Sequence, residues 1–273
     1  MWALIIAINI IAVTPVLFLA FLFLVAPSSR KHADRQILDG MFIAHRGLHG
    51  IEPGTPENSL AAFRAAAEHG FAIENDIHLT RDGEVVVFHD DDLYRMCGIH
   101  GRPEDMTLNE LKKLCLGGTE EKIPTLAECL EVIDGRVPLL IEFKCKSGSA
   151  APLCEAADKI LSNYNGKYFI QSFYPFVLSW YKKHRKEICR GQLSSAFKKD
   201  KLHMRMLGLL LFNFLARPDF ISYEFSHKNE FSRRFCAFLG AFSVGWTFRS
   251  QRDIDDCKND FGTFIFEGFI PKK

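Results

Sequence analysis

The chain has 273 residues, of which 25% are charged, and a formal net charge of +1, so its electrostatics provide no general grip on a nucleic acid. That length holds one large domain or two small ones, and an α/β barrel of about 250 residues fits it as a single unit. Phenylalanine, with 25 copies, is frequent enough to call for a thick core, a membrane contact or both. The eight cysteines (Cys97, Cys115, Cys129, Cys145, Cys154, Cys189, Cys236 and Cys257) are scattered without a CxxC pair, a pattern of buried thiols in a reducing compartment rather than a disulfide frame or zinc site.

The first element is residues 1–26, MWALIIAINIIAVTPVLFLAFLFLVA, which carries no charged side chain. A bilayer crossing needs about 20 apolar residues, and a membrane helix tolerates a proline such as Pro15. A cleaved signal peptide would open on basic residues and have an apolar core of roughly 7–15 residues. A retained transmembrane anchor is therefore expected. Arg30, Lys31 and Arg35 follow it directly, and only the amino terminus precedes it with positive charge. The positive-inside rule then predicts a single-pass protein of the cell membrane with its body in the cytoplasm. Residues 27–39 read as a polar linker and 40–273 as the folded domain.

Across that domain strand-like and helix-like runs alternate. The strand-like runs are MFIAHR, FAIENDIHL, EVVVFHD, VPLLIEFK, KYFIQSF, ICRGQLS, DFISYEF, AFSVGWTF and GTFIFEGF. Most are near-continuously apolar, as strands buried on both faces are. The helical runs between them include MTLNELKKL and PTLAECLEVI, each opening with a capping box, Thr107 with Glu110 and Thr125 with Glu128. Thr55, Pro56 and Glu57 likewise predict a helix start as N-cap, first helical residue and first-turn acid. Only TRDG separates the second and third strands, too short for a parallel crossover, and Asp82-Gly83 signals a tight turn. These two form a hairpin that brings His89 alongside Asp76. Eight strands remain, which predicts a (β/α)8 TIM barrel with a β-hairpin addition after the second strand, preceded by one N-terminal transmembrane helix.

Chemistry-bearing residues gather at the strand ends, where barrel active sites lie. Glu74 and Asp76 are two apart on one strand and share a face. Glu142 and Lys144 repeat that spacing two strands further along; His45 and Arg46 end the first strand, and the hairpin returns His89. A like-charged pair about 4 Å apart costs about 4 kcal/mol at an effective dielectric near about 20, a cost a divalent cation removes. All-carboxylate ligation suits Mg²⁺ or Ca²⁺, whereas zinc recruits histidine or cysteine. Two histidines are then left as general base and general acid, and Arg46 and Lys144 suit an anionic substrate. Together the set specifies phosphoryl transfer over acyl or hydride chemistry. Asp90-Asp91-Asp92 reads as a solvated charge run, and His49, His69, His78 and His100 as surface or loop residues.

HRG…PENSLAAF…G…IENDIHLTRDGEVVVFHD followed by LLIEFK resembles the glycerophosphodiester phosphodiesterase family, most strongly over 41–95 and 138–146. The resemblance implies a TIM barrel carrying one divalent cation, Mg²⁺ or Ca²⁺. It implies His45 and His89 as the acid/base pair and Glu74, Asp76 and Glu142 as metal ligands. Arg46 and Lys144 become the phosphate-side cations, and Phe173 and Trp246 the pocket walls. In such enzymes a neighbouring glycerol hydroxyl attacks phosphorus, and water opens the resulting cyclic phosphate to release glycerol 3-phosphate and an alcohol. The last strand departs from the family: a Thr-Asp-Arg-Pro-like segment is replaced by FIFEGFIP, with Glu267 in its place.

A second apolar run, Met204 to Ala216, is too short to span a membrane and is flanked or interrupted by Lys198, Lys199, Lys201, Arg205 and Arg217. It is either a barrel-covering helix or an interfacial helix over 203–216 that holds the mouth against a bilayer. In the second case the substrates extend to lysophospholipids. A non-catalytic, membrane-anchored phosphate-ligand sensor is the remaining class, and it has no use for an acid/base pair.

Overall fold

The computed structural model describes residues 2–145, 148 and 150–272, with side chains from residue 13 onward. Nine strands follow in chain order: β1 (Phe42–Ala44), β2 (Ala72–Leu79), β3 (Val85–Val87), β4 (Leu139–Phe143), β5 (Tyr168–Ser172), β6 (Arg190–Ser194), β7 (Phe220–Glu224), β8 (Phe242–Phe248) and β9 (Thr263–Phe266). All but β3 pair in parallel, and β1 closes the ring by pairing with both β2 and β9. The result is the expected eight-stranded barrel with a hairpin added after its second strand.

That hairpin is one residue out of the expected register. Ile77 pairs with Val87 and His78 with Val86, and the Phe88 amide donates to Asp76 O at 3.0 Å. Phe88, not His89, therefore lies opposite Asp76, and its apolar ring is buried. His89 lies just beyond the pair, where the chain is free to turn toward the mouth. His78 also differs from expectation. It is buried on β2 and its Nδ1 lies 2.8 Å from Glu104 Oε1.

Inside the barrel the side chains change character along the strands in steps of two. β2 places Ala72 low, then Glu74, then Asp76; β4 places Leu140 low, then Glu142. Ala72 and Leu140 join Ile43, Phe169, Phe220, Val244 and Ile265 in an apolar floor, and Leu38 fills the same cluster. Gly191 on β6 is required there, because a Cβ would sit 1.9 Å from the Phe220 ring. Burying Leu38 completely contributes about 2 kcal/mol.

Leu38 belongs to the segment expected to be a linker. Residues 27–39 instead run beneath the barrel and are fastened along their length. Arg30 pairs with Asp219 at 3.3 Å, His32 Nε2 meets Glu187 O, Arg35 donates to Gly240 O, and Thr263 donates to Leu38 O. Before them a helix spans Trp2–Val25. Among the described residues no helix is long and apolar enough to cross a membrane, so the expected transmembrane helix finds no support there. Side chains 2–12, on which much of that expectation rests, lie outside the described residues. The end of this helix is held by Asn213, which donates to Val25 O, and by Arg217, which donates to Phe23 O and Ala26 O.

Both capping boxes form as expected. The helix predicted to start at Thr55 starts later, over Leu60–Glu68, with Ser59 capping Ala62 N. Asn58 has φ +55°, which interrupts the helical path. The run 203–216 is not one helix either. It divides into Leu202–Gly208 and Asn213–Ala216 around Leu210, at φ +58°. Leu207, Leu210 and Ala216 are buried, while Leu209 within the run and Leu202 just before it face outward, so the segment has both a barrel-facing and an exposed apolar side.

Candidate active site

β1 ends at Ala44, and the His45 amide donates to Phe266 O at 2.9 Å, so the tip of β9 holds the tip of β1. Arg46 follows at φ +56°, which aims its amide at Glu74 Oε2, 3.2 Å away. Gly47 completes the reversal at φ +82°, where a Cβ would lie 2.9 Å from the backbone of Ala62. The His-Arg-Gly sequence is thus the tightest path from a strand tip onto the flank of the following helix.

The parallel register sets Asp76 beside Glu142. With Glu74 they form a buried cluster whose ligand oxygens all lie within 4.8 Å of one another. Three buried hard oxygen donors fit a divalent cation such as Mg²⁺ or Ca²⁺. Burial, then the charges of Asp76 and Glu142, push the Glu74 pKa well up. Burial also raises Glu142, against the attraction of Lys144. Asp76 goes the other way: although burial opposes it, Lys144, His89 and Arg46 hold it ionised. The cluster is therefore an electrostatic conflict that a cation resolves.

The two cations are engaged with these acids. Lys144 Nζ lies 3.0 Å from Asp76 Oδ1 and 2.6 Å from Glu142 Oε1. Despite the cost of burial, those two carboxylates raise its pKa. Arg46 Nη1 donates to Glu57 Oε1 at 2.8 Å, and its Nε lies 3.6 Å from Asp76 Oδ2.

Each histidine has a carboxylate on Nδ1. His45 donates to Glu267 Oε2 at 2.6 Å, and His89 to Asp90 Oδ1 at 2.6 Å. Arg95 then ties Asp90 to Glu57, donating to both. Burial lowers the pKa of both histidines, against the pull of Glu267 on one and of Asp76 on the other. With Nδ1 engaged, Nε2 is the nitrogen each ring has for exchanging a proton.

The expected set thus comes together around one pocket of about 390 Å³, lined by His45, Arg46, Glu74, His89, Glu142 and Lys144. Phe173 and Trp246 form a wall, their rings edge to face at 5.9 Å. Sequence reasoning missed four contributors. Glu57 was read as a helix-start acid and Asp90 as solvated. Asn58, whose Nδ2 donates to Asp76 Oδ2 at 2.9 Å, and Arg95 were not singled out. A larger cleft of about 530 Å³, bounded by Glu131, Asp134, Ile160 and Tyr164, holds no histidine or cation.

A closed (β/α)8 barrel with buried acids, histidines and fixed cations at the carboxyl ends of its strands has the architecture of an enzyme, and its three-acid cluster could hold a divalent cation. Residues 45–212 match the glycerophosphoryl diester phosphodiesterase family. The chain belongs to that family and is an enzyme of the phosphoric diester hydrolase class. It is 36% identical over 177 residues to a glycerophosphodiester phosphodiesterase of Caldanaerobacter subterraneus subsp. tengcongensis, spanning 61% of this chain and 71% of that one. It is 35% identical over 124 residues to lysophospholipase D GDPD1 of Homo sapiens, 45% of this chain and 38% of that one. Among solved structures it resembles an Oleispira antarctica phosphodiesterase in complex with the product sn-glycerol-3-phosphate. That match has a TM-score of 0.71 and 27% identity, and covers 85% of this chain and 94% of the other.

Proposed function

We propose that the chain hydrolyses glycerophosphodiesters to glycerol 3-phosphate and an alcohol, with His45 and His89 as the acid/base pair and a cyclic phosphate between the two steps. The observation that carries this reading is the pair of imidazoles, each with Nδ1 engaged by a carboxylate at 2.6 Å, on one pocket with the three-acid cluster. With Nδ1–H committed, Nε2 is the nitrogen that exchanges protons on each ring. In the first step one Nε2 takes the proton of the attacking glycerol hydroxyl, and the other histidine gives one to the departing alcohol. In the second step the roles reverse as water adds. Glu74, Asp76 and Glu142 would hold Mg²⁺ or Ca²⁺, which supplies Lewis-acid stabilisation of the phosphoryl oxygens. Arg46 and Lys144, already beside these acids, grip the phosphate, and Phe173 and Trp246 pack on the organic part.

The test is release of glycerol 3-phosphate by the full chain in detergent. Glycerophosphocholine and glycerophosphoethanolamine are supplied with EDTA, Mg²⁺ or Ca²⁺, and His45→Ala runs alongside. Release that needs the cation and disappears in the variant is expected. Release that survives EDTA, or survives His45→Ala, overturns the assignment.

A second reading extends the substrate to lysophospholipids at a membrane surface. It is favoured by where the exposed apolar side chains lie. Val16, Leu17, Phe18 and Phe23 of the first helix are exposed, and so are Leu202, Leu209, Phe231 and Phe238. Phe21 stacks on Phe231 at 6.0 Å and joins the first helix to this group. On this reading residues 1–26 attach the protein to the cell membrane with its catalytic body on the cytoplasmic side. Asp substitutions at Leu202 and Phe231 are then expected to lower turnover of vesicle-borne lysophosphatidylcholine and spare glycerophosphocholine. Equal turnover of both by parent and variant would rule it out.

A further inference from the structure

The end of the last strand brings a further residue to the machinery. Glu267 follows β9, and its amide donates to Phe248 O at 2.9 Å. On the other side His45 N–H donates to Phe266 O, so the main chain laces together the tips of β8, β9 and β1. Within that frame the two oxygens of Glu267 divide their work. Oε2 accepts the Nδ1–H of His45 at 2.6 Å, and Oε1 accepts from Arg249 Nη2 at 3.3 Å. The carboxylate is 21% exposed, and the His45 hydrogen bond, acting against burial, holds its pKa at about 2. Arg46 and Asp76 are the other charges nearest the imidazole, and Glu74 Oε2 stands 4.0 Å from its Nε2.

An imidazole with nothing on Nδ1 can adopt either tautomer and can flip, and half of those arrangements present the wrong nitrogen. We propose that Glu267 is the positioning residue for His45, holding the ring in one orientation and one tautomer with Nε2 toward the pocket. The proton on Nδ1 stays there throughout. A proton arriving at Nε2 creates an imidazolium beside an ionised carboxylate, and leaves again from Nε2 when the ring acts as acid. Asp90 stands in the same relation to His89, but it is the adjacent residue. Glu267 reaches His45 across 222 positions of sequence, through barrel closure alone.

The inference rests on His45 as a proton-transfer group, so its test has an arm that needs no turnover. Glu267→Gln keeps the shape and removes the charge. In the full chain kcat for glycerophosphocholine is expected to fall about 10–100-fold, with KM, cation requirement and melting temperature unchanged. In proton NMR the His45 Nδ1 proton, shifted far downfield by its short bond to a carboxylate, is assigned by its absence in His45→Ala. It is expected to vanish or move sharply upfield in Glu267→Gln. Unchanged kcat, an unmoved resonance, or a kcat loss matched by loss of cation affinity or stability would each overturn the proposal. If the parent turns over no glycerophosphodiester, the activity assignment fails, and the resonance alone then decides this one.

Discussion

Asn58 Nδ2 donates to Asp76 Oδ2 at 2.9 Å in the barrel interior, from a backbone at φ +55°. Asn58 is thereby tied to one of the three clustered acids, and its own amide is fixed by Arg46 O at 3.0 Å. Glycine adopts that backbone without strain but has no donor. Asn58→Gly is therefore expected to weaken Mg²⁺ or Ca²⁺ binding about 10–100-fold, the usual effect of losing a hydrogen bond to a ligand. Calorimetric cation titration of parent and variant measures this. Equal affinities would show that Asp76 needs no such support.

Stability without a cation should depend on pH in a defined direction. Glu74 and Glu142 both have pKa values raised first by burial, and Asp76 adds to the shift in each. Between the ordinary carboxylate value and the raised ones, the folded protein keeps protons that the unfolded chain has released. Cation-free stability then falls as pH rises through that window. Asp76, whose pKa is lowered, acts oppositely, below the ordinary value. Because a cation needs the ionised ligands, saturating Mg²⁺ or Ca²⁺ should raise the melting temperature more at about pH 8 than at about pH 5. Thermal scans across pH with EDTA or cation check this, and a gain that shrinks as pH rises would contradict it.

Gly47 should tolerate no side chain. At φ +82° and with Ala62 2.9 Å from a Cβ, Gly47→Ala meets both backbone strain and a clash. A loss of about 2 kcal/mol or more is expected, seen as a lower urea midpoint at unchanged m-value. Since Arg46 would move with it, turnover should fall as well. An unchanged midpoint would mean that the loop relaxes away from the Leu60–Glu68 helix at little cost.

Much of this arrangement was legible because its signals are local. Strands buried on both faces declare themselves as apolar runs, and Thr80-Arg81-Asp82-Gly83 makes a tight turn in which Thr80 Oγ1 donates to Asp82 at 2.6 Å. Two-residue spacing on β2 put Glu74 and Asp76 on one face without any tertiary information. The hairpin register was one residue off because a turn fixes the pairing only to within its own geometry. Glu57 and Asn58 were hidden by a helix-start pattern that Ser59, four residues after Thr55, in fact completes. Asp90 looked solvated because Arg95, its partner, is brought back by the Tyr94–Cys97 turn. His78 was hidden in the same way: Glu104, which its ring meets, stands 26 positions on.

The absence of slack before the barrel has a mechanical consequence. Residues 27–39 are clamped under the floor by Arg30, His32 and Arg35, and the end of the first helix is gripped by Asn213 and Arg217. A helix joined through a floppy spacer would act as a leash, letting the mouth sample every direction. Held as it is, it would work as a bracket if a surface bound it. Any surface that held the first helix would also set the pitch of the barrel and the height at which its pocket stands, so on the membrane reading a flexible spacer inserted after Val25 would change which substrates reach the pocket without altering a residue inside it.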